Sequence, residues 1–267
     1  MIRIGVAGSA GKMGSRIAAL SREYEGLELA GAFERAGHKD MGKDIGTLSG
    51  AGESGIKLSG GIGEIIEAVD MVIDFTSVES TKENLRVASA RGKAMVIGTT
   101  GFTKDDMREI EPFLKKTPCV MASNMSLGVN LLLKVLQDIA RTLGDDYDIE
   151  IVEAHHRMKK DAPSGTALKM AQVIADAVSR NLDEVAVYAR KGLIGARTRK
   201  EIGIQTVRAG DIVGEHTVIF GGLGERIEVI HRAASRDTFA RGALKAALWL
   251  SGKPAGTYDM QDVLGLR

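Results

Sequence analysis

The chain has 267 residues, with 36 Lys and Arg against 35 Asp and Glu for a net charge of +1, 4% aromatic residues and one cysteine. That balance gives no basic field for nucleic acid and few aromatic platforms for bases, so no nucleic-acid partner is expected. The lone Cys119 excludes an internal disulfide framework and a cysteine-rich zinc site, which suits the cytoplasm, and no apolar run reaches the ~18 residues of a membrane span.

Met1 leads straight into a strand-like segment rather than a basic stretch and apolar core, so no signal peptide is expected either. Residues 2–7 form a short apolar run leading into Gly8, Ser9, Ala10, Gly11, Lys12, Met13 and Gly14, and 15–20 continue with helical patterning. Strand, tight glycine turn and helix in that order make a dinucleotide-binding context. The glycines are spaced GxxGxxG. Gly11 and Gly14 take the second and third positions of the usual GxGxxG pattern, Ser9 stands at the first, and Gly8 supplies the turn. Residues 27–33 predict a second strand ending in Glu34, about 20 residues beyond the last glycine, where an acidic side chain meets a ribose hydroxyl. Neighbouring Arg35, with Lys12 in reach from the loop, suits a 2′-phosphate, so both NADH and NADPH are expected to bind.

Between 35 and 61 the sequence is rich in glycine and poor in periodicity, which predicts a mobile excursion. Residues 71–75 and 93–97 then read as buried strands around a helix over 78–90, and the alternation predicts a parallel sheet. Gly98, Thr99 and Thr100 follow a strand's C-terminal end, where ligands bind in open α/β sheets. A fifth strand, ProCysValMetAlaSer, repeats the placement by running into Asn124 and Met125 ahead of a long apolar helix.

Downstream of Ser126 the repeats give way to long helices and then consecutive strands over 203–208, 213–220 and 225–231, the pattern of a separate mixed α+β lobe. Tyr147, Ile149 and Ile151 alternate with Asp148 and Glu150, so His155 and His156 stand at a strand's end. After Pro163 helical spacing begins, placing Ser164, Gly165 and Thr166 at a helix N-terminus whose N–H groups favour a carboxylate or phosphate; Ser164 itself is an N-cap. Adjacent histidines on a strand face opposite sides and no HisxxxHis spacing occurs, so no metal is expected. A final apolar helix over 235–250 is expected to return to the first lobe. The boundaries follow as 1–126 plus 236–267 for a Rossmann-type nucleotide lobe, and 127–235 for a substrate-binding and oligomerisation lobe.

Several segments together resemble one family: ValAlaGlySerAlaGlyLysMetGly at 6–14, the GluArg pair at 34–35, GlyThrThrGly at 98–101, GluAlaHisHisArg at 153–157 with Lys159, AspAlaProSerGlyThrAla at 161–167, and the stretches 208–217 and 233–240. The family is that of the 4-hydroxy-tetrahydrodipicolinate reductases, also called dihydrodipicolinate reductases, and the resemblance spans the chain. It implies reduction of a cyclic imine dicarboxylate by a nicotinamide cofactor in the diaminopimelate route to lysine, by a homotetramer assembled through the second lobe. It further implies that Gly8 to Met13 hold the pyrophosphate and Glu34 the adenosine ribose. Gly98, Thr99 and Thr100 with Ala122, Ser123, Asn124 and Met125 would meet the nicotinamide end. His155 would be the acid/base, Lys159 a second proton donor and charge partner, and His156, Gly165 and Thr166 substrate contacts. Met125 departs from the pattern, since some members carry an aromatic residue there. Two other readings share the first lobe: an amino-acid dehydrogenase of similar plan, and a nucleotide-sensing regulator that binds reduced cofactor without consuming it.

Overall fold

The computed structural model describes residues 1–267, which fold as two compact units, Met1–Leu127 with Arg236–Arg267, and Gly128–Ser235. The first unit begins β1 (Ile2–Ala7), α1 (Lys12–Leu20), β2 (Leu27–Phe33), α2 (Ile45–Leu48), β3 (Leu58–Ser59) and α3 (Ile62–Ile65). It continues through β4 (Met71–Asp74), α4 (Val78–Ala90), β5 (Ala94–Ile97), α5 (Lys104–Leu114) and β6 (Pro118–Met121). Next come α6 (Leu127–Leu143), β7 (Asp148–His155), α7 (Gly165–Ala177), α8 (Leu182–Val185), β8 (Ala186–Val187), β9 (Ile202–Arg208), β10 (Gly214–Gly221) and β11 (Arg226–Ala233). The chain then returns to the first unit with α9 (Asp237–Leu250), β12 (Gly256–Tyr258) and α10 (Met260–Leu264).

Short, wholly apolar strands such as Ile4, Val6, Val72 and Val96, none exposed, demand cover on both faces and so form a parallel sheet. Its order, β12-β6-β5-β4-β1-β2-β3, contains the doubly wound arrangement with a reversal between β1 and β4. Ligands of such sheets bind beyond the C-terminal strand ends at that reversal. The Ala-rich face of α9 covers the sheet, with Ala240, Ala243, Leu244 and Ala247 in one core with Ile4, Ile17 and Val120. The seventh strand, β12, pairs with β6 and lies outside the sequence expectations, because three residues starting at a glycine carry no readable period.

The glycine-rich stretch after β2 is tied down by side-chain hydrogen bonds. Asp44 caps α2 by accepting from Thr47 N–H and also accepts from Ser54 N–H, while the Arg22 guanidinium donates to the carbonyls of Ala51 and Glu53. Side-chain hydrogen bonds to backbone here replace the missing hydrophobic period.

In the second unit the sheet order is β11-β10-β7-β9-β8, antiparallel on the β10 side of β7 and parallel on the β9 side. One face of β7 buries Ile149 and Ile151 with Val218, Phe220, Ile202 and Ile204 against α6 and α7, through residues such as Leu136, Met170 and Ile174. Period-2 alternation carries that same face onward to Glu153 and His155. The buried face of β7 is therefore apolar for half its length and ionisable at its C-terminal end.

Candidate functional site

The glycine turn of the first unit is built by its backbone. Gly8 has φ +61°, the left-handed region that favours glycine, and Gly11 N–H donates to the Gly8 carbonyl at 2.9 Å. A side chain at Gly14 would overlap the Gly8 carbonyl oxygen, so only glycine lets α1 start this close to β1. Ser9 is buried and its hydroxyl donates to Val6 carbonyl at 2.6 Å, leaving it an anchor for the turn. The N-cap of α1 is Gly11, which offers no side-chain acceptor to the first-turn N–H groups. At the tip of β2, Glu34 accepts from Ala10 N–H at 3.2 Å, and Arg35 is exposed beside it.

A second cluster lies at the ends of β4 and β5. The buried Asp74 carboxylate accepts from Thr76 N–H (2.9 Å), Thr76 Oγ1 (2.6 Å) and Asn84 Nδ2 (2.8 Å), and Thr99 Oγ1 lies 2.7 Å from Thr81 Oγ1. Thr99 thus braces its loop from within, and a side chain at Gly98 would overlap the Phe75 ring. At the end of β6, Asn124 Oδ1 accepts from Ser126 N–H at 2.9 Å, closing the turn. Met125 follows in the same turn. The whole residue is buried in the core shared with α9, and its carbonyl oxygen packs against Gly242 of that helix. An apolar thioether gains more from that core than from a polar rim.

The second unit assembles the sharper constellation. His155, 8% exposed, places Nδ1 at 2.6 Å from Glu153 Oε2. Arg208 clamps the same carboxylate with Nη1 to Oε2 at 2.8 Å and Nη2 to Oε1 at 2.9 Å, and Ser164 N–H donates to Oε1 at 3.0 Å. Ser164 Oγ accepts from Ala167 N–H as the N-cap of α7 and shares a hydrogen bond with His216 Nε2 at 3.0 Å. Gly165 opens the helix and is exposed; Thr166 and His156 are half-buried. Lys159 Nζ pairs with Asp161 Oδ2 at 2.9 Å in the connecting loop. Glu153, Arg208 and His216 lie in the motifs at 153–157 and 208–217, but the sequence assigns them no site role. The spacing of Glu153 two residues before His155, hence on one strand face, was the available signal.

Electrostatics follow this packing. Burial pushes the Glu153 carboxyl up, but hydrogen bonds from Arg208, His155 and Ser164 outweigh it and hold the group at about 2. Burial lowers the His155 pKa, opposed by Glu153 and assisted by the Lys159 and Arg208 charges. His216 is driven down to about 4, chiefly by burial. Burial pushes the Cys119 thiol up to about 12, so it is inert as a nucleophile. No three His, Cys, Asp or Glu side chains are grouped to hold a metal ion, and no helix is long and apolar enough to cross a membrane.

Sequence models of dihydrodipicolinate reductase match both units, the N-terminal model over residues 2–125 and the C-terminal model over 128–264. Proteins named 4-hydroxy-tetrahydrodipicolinate reductase from Syntrophobacter fumaroxidans, Syntrophus aciditrophicus and Geobacter sulfurreducens are 58%, 56% and 51% identical, each over 100% of both chains. Among solved structures, dipicolinate-bound dihydrodipicolinate reductase from Paenisporosarcina sp. TG-14 aligns with TM-score 0.73 and 26% identity over 98% of each chain. An amine dehydrogenase from Mycobacterium smegmatis, at TM-score 0.60 and 16% identity over 96% of this chain and 94% of its own, shares the fold alone. The chain belongs to the dihydrodipicolinate reductase family.

Proposed function

We propose that this chain reduces 4-hydroxy-tetrahydrodipicolinate, through its dehydrated cyclic imine, to tetrahydrodipicolinate in the diaminopimelate route to lysine. The observation that carries this reading is the grouping at the end of β7: a buried imidazole held through Nδ1, a lysine in the following loop and the first turn of α7. NADH or NADPH, when bound, supplies the hydride. The residues present fit such a dinucleotide, since the Gly8 turn, the bare N-terminus of α1 and the Glu34 carboxylate lie together at the tips of β1 and β2. Lys12 and Met13 complete the pyrophosphate loop, and the 98–100 and 122–125 turns receive the nicotinamide end.

Hydride addition to a conjugated imine leaves negative charge that a proton must neutralise. His155 is the donor, carrying that proton on Nε2 because Nδ1 is engaged by Glu153. Two substrate carboxylates offset the burial that lowers the His155 pKa and favour the charged ring when it is needed. Lys159 exchanges Asp161 for a substrate carboxylate, and Gly165 and Thr166 meet the other with backbone N–H groups. His156 completes the substrate contacts.

The reading includes a cytoplasmic homotetramer assembled through the second unit. Supporting it, β11 stands at the end of the second unit's sheet order, so its outer backbone edge is open to pairing with a second copy of the chain. The decisive assay couples the protein to a synthase that generates the unstable substrate and follows loss of reduced nicotinamide. Consumption only when the synthase is active is expected; no consumption with either nucleotide overturns the assignment.

A further inference from the structure

The Glu153 side chain has no solvent exposure, and its polar partners come from β7, β9 and the start of α7. It lies 2.6 Å from His155 Nδ1 and accepts from both terminal nitrogens of Arg208, Ser164 N–H and, at 3.2 Å, Thr206 Oγ1. A buried carboxylate is costly unless paired, and a single Arg would satisfy that need. Three additional contacts reach the imidazole, the N-cap amide of α7 and the Thr206 hydroxyl on β9.

We propose that Glu153 is the positioning residue of this enzyme: it fixes His155 as the Nδ1–H tautomer, with Nε2 presented to the reacting atom, and its Ser164 bond holds the imidazole in register with the anion-binding first turn of α7. The inference rests on the reading of His155 as acid/base. Strand geometry makes the tautomer lock rigid, since Glu153 and His155 are i and i+2 on one strand and His155 sits opposite Arg208 in the β7–β9 register. Arg208 also donates to the Asp161 carbonyl at 2.6 Å, so it ties the Lys159 loop to the same carboxylate. The logic is that of a histidine oriented by a buried acid, where the acid sets tautomer and charge without touching substrate.

The charged groups around His155 define what removing Glu153 should do. Glu153 on β7 raises the proton affinity of the ring; Arg208 on β9 and Lys159 in the loop lower it. His216 on β10 lies edge-on at 5.3 Å between centroids, with His231 of β11 among the groups acting on it in turn, and Asp161 is neutralised by Lys159. Glu153→Gln therefore leaves His155 facing two cations with no anion.

The test begins with His155→Gln, whose turnover must fall for the underlying reading to stand; wild-type turnover there overturns that reading and the proposal with it. In Glu153→Gln, kcat is expected to fall roughly 10- to 10³-fold, with a smaller change in KM for nucleotide. The limb of the kcat/KM pH profile that belongs to His155 should move down by about one unit or more, and Glu153→Asp, which keeps the charge, should restore most of that shift. In the His155→Gln background, Glu153→Gln should change kcat by no more than about twofold. A full additional loss there, or an unmoved limb, means that Glu153 acts elsewhere and overturns the proposal. Because Glu153→Gln leaves Arg208 without a counter-charge and could unfold the second unit, the wild-type protein provides an independent readout. A ¹H–¹⁵N spectrum of histidine-labelled full-length chain, assigned with His155→Gln, should show His155 protonated at Nδ1 and titrating at Nε2. A predominant Nε2–H tautomer refutes the assignment.

Discussion

Glu34 accepts a hydrogen bond from the backbone N–H of Ala10 at 3.2 Å, joining the tip of β2 to the glycine turn that follows β1. That carboxylate is where a free ribose 2′-hydroxyl would be held, and the exposed Arg35 beside it is where a 2′-phosphate would find a cation. Arg35→Ala should weaken NADPH roughly tenfold, the loss of one charge-assisted contact, and leave NADH nearly unchanged. Titration of both nucleotides by fluorescence checks this, and equal losses would remove Arg35 from 2′-phosphate recognition.

A planar pyridine-2,6-dicarboxylate offers two carboxylates in a ring that resists hydride addition, so it should compete with substrate. Its affinity separates the roles of two residues. His155→Gln should lower turnover by roughly two to four orders of magnitude while changing analogue affinity far less. Lys159→Ala should damage both, because the Lys159 ammonium, now paired with Asp161 at 2.9 Å, would bind a carboxylate in ground state and transition state alike. Calorimetry with the analogue and the coupled assay give the two numbers; unchanged analogue affinity in Lys159→Ala would refute its contact with substrate.

What the sequence makes legible here depends on how local the cause is. The parallel sheet is readable because each strand is a short apolar run beside a helix-length segment, and the Gly8 turn because its residue types have few other uses. His155 and Lys159 are readable as chemical types. Glu153 is legible only as the residue two before His155 on one strand face, and its meeting with Arg208 and His216 is set by pairing: Glu153 stands opposite His216 in the antiparallel β7–β10 ladder, and His155 opposite Arg208 in the parallel β7–β9 ladder. No spacing along the chain encodes those registers. Met125 is placed by motif at the nicotinamide end, and its side chain lies in the core shared with α9.

Gly214 tests how tightly the ring of His155 is held. A methyl group there would stand 3.1 Å from Nε2 and 3.4 Å from Cδ2, close enough that the ring must give by a few tenths of an ångström. With Nδ1 tied to Glu153 the ring cannot turn away without breaking that bond. Gly214→Ala should therefore lower kcat by about 2- to 10-fold, the equivalent of an off-rotamer strain of 0.5–1.5 kcal/mol, and leave nucleotide affinity alone. Wild-type kcat in a folded Gly214→Ala protein would show that the ring has slack.

Acid should loosen the second unit in two separate steps, and the first belongs to histidines. His216, only 4% exposed, has its pKa driven down to about 4, whereas in the unfolded chain it titrates near 6.5. Between those values the unfolded chain binds the extra proton and the folded one does not, so stability falls as pH drops from about 6.5 to about 4 and then levels off for this group. The full effect is of order 3 kcal/mol, with His155 and His231 shifted in the same direction. Glu153 follows below it: held at about 2 against an ordinary value of 4.5, it contributes stability above pH 4.5 that is lost as pH falls toward 2. Thermal unfolding measured from pH 7.5 to 4 should show a steady decline in the wild type, and His216→Gln, which removes the largest titration while keeping a partner for Ser164 Oγ, should flatten it. Parallel pH dependences for the two proteins would mean that His216 is not the group whose burial resists protonation.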